Sequence, residues 1–79
     1  MRLDKFLKVS RILKRRTLAN EACDAGKVFV NDRVSKSGHK LKIGDVVRIE
    51  FTSSSLTFRV VALNEKATKQ EADTLYEVL

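Results

Sequence analysis

The helical patterns in this chain are too short to stand alone, and that limits what it can fold into. Leu3, Phe6 and Leu7 repeat at i, i+3, i+4 over Met1–Val9, with Arg2, Lys5 and Lys8 on other faces and Asp4 in the first turn. A second helix is expected over Leu18–Ala25, with Thr17 as N-cap, a small apolar face of Leu18, Ala19, Ala22, Cys23 and Ala25, and Gly26 at the C′ position. A basic connection, Arg11–Arg16, joins the two and is anchored by Ile12 and Leu13. Helices of two turns are marginal in water, so both must pack on something else. The remaining sequence supplies it. Lys27–Val30 reads as a strand, Asn31-Asp32 as a two-residue turn, and Arg33–Lys36 as the return strand. Ser37-Gly38 breaks the chain, and Ile43-Gly44-Asp45 turns into a strand over Val46–Phe51. Thr52–Ser55 is then a polar loop and Leu56–Ala62 a further strand. Lys66–Asp73 is helix-compatible, and Tyr76–Leu79 is an edge strand or a packed tail. The expected architecture is α+β: two short helices on a small, bent antiparallel sheet, in one domain over residues 1–79.

Charge is divided unequally along this scaffold. Met1–Lys42 holds twelve Lys or Arg against four Asp or Glu, whereas Ile43–Leu79 holds four against six. So lopsided a field on so short a chain points to a polyanion, with RNA first among the candidates. The single Cys23 excludes an internal disulfide and a cysteine-built zinc site. No apolar run approaches the roughly 20 residues of a bilayer span, and the basic N-terminus lacks a following apolar h-region. The expected location is cytoplasmic.

The cations Arg2, Lys5, Lys8, Arg11, Lys14, Arg15 and Arg16 suit phosphate: arginine offers a planar fork and lysine a mobile point charge. A merely solvated face would carry acidic i, i+4 partners, and these are largely missing. Arg15-Arg16-Thr17 at a helix start adds backbone N–H groups to the side-chain cations. Among cations, Asp4 is expected to stay ionised and to orient an arginine. His39 has no ligand-spaced companion; it either touches RNA beside Lys36 and Lys40 or, as the plainer reading, is a surface loop residue. Cys23 reads as core, and Phe29 either stacks on a base or is buried against a helix. No phosphate-cradling glycine loop, nucleophile–base pair or ligand cluster is present, so no enzyme site, metal or cofactor is expected.

Four ordered blocks carry a family resemblance: Arg2-Leu3-Asp4-Lys5-Phe6-Leu7, Arg15-Arg16-Thr17-Leu18-Ala19, Ala25-Gly26-Lys27-Val28-Phe29-Val30-Asn31 and Lys42-Ile43-Gly44-Asp45. Together they resemble the S4-like RNA-binding domain, over about Met1–Phe51. The departure is Asp32, where the family usually has Gly. A stand-alone chain opening Met-Arg-Leu-Asp-Lys-Phe-Leu-Lys-Val-Ser-Arg further resembles the heat-shock protein 15 group and its ribosome-associated quality-control members. That resemblance implies an RNA face on the two helices, at Arg2, Arg11, Arg15, Arg16 and the second helix start. It also implies, as partners, large-subunit rRNA and peptidyl-tRNA on an obstructed 50S subunit, together with an RqcH-type protein that directs poly-alanine tailing. The full candidate RNA-binding set is Arg2, Asp4, Lys5, Lys8, Arg11, Lys14, Arg15, Arg16, Thr17, Lys27, Asn31, Lys36 and Lys40. A monomer without membrane contact is expected. The acidic stretch Glu65–Glu77 is a candidate protein-contact surface.

Other readings stay open on the sequence. A general S4-type rRNA or tRNA binder acting in ribosome assembly or recycling fits the same face, as does an intact ribosomal protein. A duplex nucleic-acid binder lacks only an obvious recognition helix. The same domain also accompanies enzymes such as pseudouridine synthases, whose large catalytic domain has no counterpart in these residues.

Overall fold

A computed structural model describes all residues, Met1–Leu79. Helix α1 spans Leu3–Val9 and buries Leu3, Phe6 and Leu7, the stripe that the spacing predicts. No side chain caps its start. Instead the loop after the first hairpin does so: the Leu3 N–H donates to the His39 carbonyl at 2.8 Å and the Asp4 N–H to the Ser37 carbonyl at 3.0 Å. Leu41 N–H in turn donates to the Met1 carbonyl at 2.9 Å, which ties the N-terminus to the same loop.

Helix α2 spans Arg16–Asp24 and begins earlier than expected. Arg15, with extended backbone, is the N-cap, and Thr17 lies inside the first turn without capping it. The small apolar face is also narrower than expected. Ala19 and Cys23 are buried, Ala22 is half-buried, and Leu18 and Ala25 are exposed, because a nine-residue helix lying on α1 turns only one stripe inward. Its end follows the sequence: Gly26 has φ +72°, its N–H reaches the Cys23 carbonyl, and the Lys27 N–H reaches the Ala22 carbonyl, each at 3.0 Å. This is the paired closure that needs a left-handed residue at C′.

Five antiparallel strands follow: β1 (Val28–Val30), β2 (Arg33–Val34), β3 (Val46–Glu50), β4 (Ser55–Val60) and β5 (Tyr76–Val78), in spatial order β2-β1-β3-β4-β5. Asn31 and Asp32 both have positive φ, 51° and 68°, as a two-residue primed turn requires, so Asp32 holds the conformation that glycine usually supplies. Alternation carries Val28, Val30, Val47, Ile49, Phe58 and Val60 to the helix side of the sheet. There the Phe6 and Phe58 rings stack with centroids 6.1 Å apart, and Tyr76 meets Phe58 edge-on at 5.5 Å. Phe29 is on the other face, half-buried beneath the Arg48 guanidinium, 4.2 Å from its ring centroid, and not against a helix.

The helix expected over Lys66–Asp73 does not form. Glu71 Oε1 accepts from both the N–H and the hydroxyl of Thr68, at 3.0 and 3.1 Å, and closes a single turn. Such local side-chain bonds compete with helix propagation. A short 3₁₀ turn, Ala72–Leu75, then delivers Ala72 and Leu75 to the core and feeds β5, which pairs with β4 as an edge strand. A last element joins distant segments. Asn31 donates from Nδ2 to Asp45 Oδ1 at 3.1 Å and accepts the Val46 N–H at 3.0 Å, while Asp45 Oδ2 accepts the Lys42 N–H at 2.9 Å.

Phe58 touches α1 through Phe6 and the C-terminal strand through Tyr76, so its removal should loosen both sides of the core. Phe58→Ala is expected to cost about 3–5 kcal/mol, most of the stability of a domain this small. Urea unfolding checks this, and a loss below about 1 kcal/mol would contradict the packing described.

Candidate RNA-binding face

Asp4 is the only acidic residue in the first helix, and the fold buries it to 1% exposure. Two arginines grip it from separate segments. Arg2 places Nε 3.2 Å from Oδ1 and Nη2 3.2 Å from Oδ2. Arg16 places Nε 3.1 Å from Oδ2 and Nη2 3.3 Å from Oδ1. The Lys5 N–H adds a third donor to Oδ1 at 2.8 Å. Burial pushes the Asp4 carboxyl up, but hydrogen bonds from Arg16, Arg2 and the Lys5 N–H outweigh this and hold it below the ordinary carboxylate value. The arginine side chains are 52% and 45% exposed, so each presents its remaining N–H edge to solvent in a fixed plane. Phosphate recognition by a guanidinium fork needs such an edge.

The two arginines mark the meeting of the α1 start, the α2 start and the 36–40 loop. Arg2 forms a bridge pair with Lys40, and a Cβ built on Gly38 would sit 3.5 Å from the Arg2 guanidinium. Lys14, Arg15 and Thr17 are exposed around the α2 start, and Lys36 is exposed beside the loop. Lys8 and Arg11 are exposed at and beyond the last turn of α1, Arg11 with φ 61°. Other candidates are engaged in separate contacts or lie apart from this meeting point. The Lys5 ammonium lies 3.4 Å from Glu65, a half-exposed surface pair. Both polar atoms of the Asn31 amide are engaged in the Asp45–Val46 latch. Lys27 follows the C-terminus of α2, roughly 13 Å along the helix from Arg16.

The sequence profile of the S4 domain family matches residues 1–47, the segment holding both arginines, Asp4 and the β1–β2 hairpin. The chain belongs to the S4 domain family. Its relatives include the "RQC P-site tRNA stabilizing factor" of Halalkalibacterium halodurans, 51% identical over 99% of this chain and 89% of that protein. The Bacillus subtilis protein of the same name is 43% identical over 100% of this chain and 92% of its own length. Among solved structures, heat shock protein 15 of Vibrio cholerae, described as trimeric, superposes with a TM-score of 0.91 at 28% identity, covering 100% of this chain and 81% of that one. The S4 assignment agrees with the α+β fold, and the domain implies RNA binding.

Sequence reasoning assigned Asp4 an arginine to orient but did not find that Arg16, twelve residues on, is the second one. The available signal was that Arg2-Leu3-Asp4 and Arg15-Arg16-Thr17 both sit at helix starts. Arg33, absent from the candidate set, and His39 line a shallow groove with Lys36 and Gly38, beside the Arg2 guanidinium. In this S4 domain Asp4→Asn should cost on the order of 2 kcal/mol, since it removes a charged acceptor of several hydrogen bonds. Because the folded-state pKa lies below the ordinary 3.8, the carboxylate's contribution is complete above that value and is lost as pH falls through the folded one. The stability gap between native chain and variant should therefore stay constant from neutral pH down to about pH 5 and close below it, as pH-dependent chemical denaturation can check.

Proposed function

We propose that this chain is a non-catalytic RNA-binding factor of ribosome-associated quality control. In this reading the Arg2–Arg16 face docks on large-subunit rRNA and peptidyl-tRNA of an obstructed 50S subunit. The bound factor supports an RqcH-type protein in adding a poly-alanine tail to the stalled chain. The observation that carries the reading is a pair of arginines fixed by one buried carboxylate, on a domain that aligns end to end with factors named for stabilising P-site tRNA.

The mechanism is differential binding. A protein that favours one arrangement of rRNA and tRNA over its competitors shifts the population toward it without making or breaking a bond. The exposed edges of Arg2 and Arg16 supply phosphate contacts, and Lys14, Arg15, Lys36 and Lys40 add point charges around them. Structured RNA is read mainly through shape, phosphates and 2′-hydroxyls, so little base specificity is expected. The factor acts as a cytoplasmic, ribosome-associated monomer. A second reading, general rRNA or tRNA binding in ribosome assembly or recycling, rests on the S4 domain alone, which implies RNA binding without specifying the target.

Sucrose-gradient fractionation separates the two. The rescue reading expects the native chain with free large subunits that hold peptidyl-tRNA, and expects Arg2→Glu/Arg16→Glu to leave that peak while staying folded. An even spread over all ribosomal particles would favour the second reading. If about four to six phosphates are neutralised, RNA affinity should fall roughly 50- to 2,000-fold between 50 and 200 mM salt, and a flat salt response would contradict the phosphate-contact mechanism.

A further inference from the structure

The molecule has a second exposed feature whose chemistry is the opposite of the arginine face. Along α2 and its C-cap residue, Leu18, Glu21, Ala22 and Ala25 fall at i, i+3, i+4 and i+7, a stripe beside the one that enters the core. This stripe, with Leu13 from the connection and Ile49 and Phe51 from the end of β3, lines an open groove of about 420 Å³. Two large apolar side chains stand out of it, Leu18 at 41% and Phe51 at 43% exposure. The groove carries two carboxylates, Glu21 and Glu50, against one ammonium, Lys27. Neither carboxylate makes an ion pair within the chain. The C-terminal end of α2, with its negative dipole end, lies alongside.

We propose that this groove docks a short amphipathic segment of another protein, apolar on one face and flanked by Lys or Arg. The apolar floor calls for an apolar anchor, as in helix-in-groove recognition. The unpaired Glu21 and Glu50 select a basic flank, on a chain whose overall charge of +6 would otherwise repel one. The same carboxylates disfavour RNA, so the groove and the arginine face take different classes of partner. Leu18 and Glu21 are on the helix whose start bears Arg16, so, resting on the RNA-binding reading of the arginine face, one short helix takes RNA at its N-terminus and protein along its flank. A patch this small gives a weak, transient contact.

The test is an NMR titration of the folded, isotope-labelled chain with two synthetic amphipathic peptides of identical apolar sequence, one flanked by lysines and one by glutamates. The lysine-flanked peptide should shift the signals of Leu18, Ala22, Ile49 and Phe51, and should bind at least about fivefold more tightly than its counterpart. Leu18→Asn/Phe51→Ser should weaken it roughly tenfold. Both residues are well exposed, and an unchanged spectrum elsewhere verifies the fold. Glu21→Lys/Glu50→Lys should reverse the flank preference while leaving RNA affinity at the Arg2–Arg16 face no weaker. No shift at millimolar peptide, equal binding of the two peptides, or an RNA hairpin shifting the groove signals in place of the peptide would overturn the proposal.

Discussion

The buried carboxylate of Asp4 is the interaction on which the rest of the structure depends. A lone carboxylate at 1% exposure would be costly, and this one is tolerated because two arginine forks and a backbone N–H satisfy it. Its partners come from either side of one connection. Arg2 precedes α1 and Arg16 opens α2, so the carboxylate also fixes how the helices start relative to each other. Held guanidinium planes lose less side-chain freedom when they meet phosphate than free ones would. One buried group thus links folding to the shape of the binding face.

The scaffold around it explains why the helices can be so short. The β1–β2 hairpin and its following loop supply the N-terminal cap of α1 through the His39 and Ser37 carbonyls. The sheet supplies the apolar floor, where Phe58 stacks on Phe6 and Tyr76 closes the far side. The Asn31–Asp45 latch holds the hairpin turn against the start of β3. Each device compensates for local structure that would not persist alone. The basic N-terminal half is therefore organised by non-local contacts, and the C-terminal strands act mainly as support for the floor.

Much of this was legible in the residues wherever a local rule applied. Leu3, Phe6 and Leu7 fixed the inner face of α1, Gly26 its role beyond α2, and Asn31-Asp32 the hairpin turn. The start of α2 was misplaced because its cap is backbone at Arg15 and not the Thr17 hydroxyl. The stretch from Lys66 looked helical by composition, yet Thr68 and Glu71 close on each other and stop it at one turn. For the site, charge alone pointed to RNA, the class of partner that the S4 domain implies, and supplied a list of candidate cations. It could not tell which of them converge, because that depends on pairs such as Asp4–Arg16 and Asn31–Asp45 that form only when the chain folds. Nor could it separate cations at the two ends of α2, which left Lys27 grouped with Arg16.

The most direct test of the central claim is the RNA affinity of Asp4→Asn, measured at fixed salt and at a temperature where the variant is folded. The substitution removes a negative charge, so simple charge attraction predicts tighter binding. If Asp4 acts by holding Arg2 and Arg16 in place, the variant binds RNA more weakly despite its higher positive charge. Equal or tighter binding would show that the arginines work without that carboxylate, and would contradict the account.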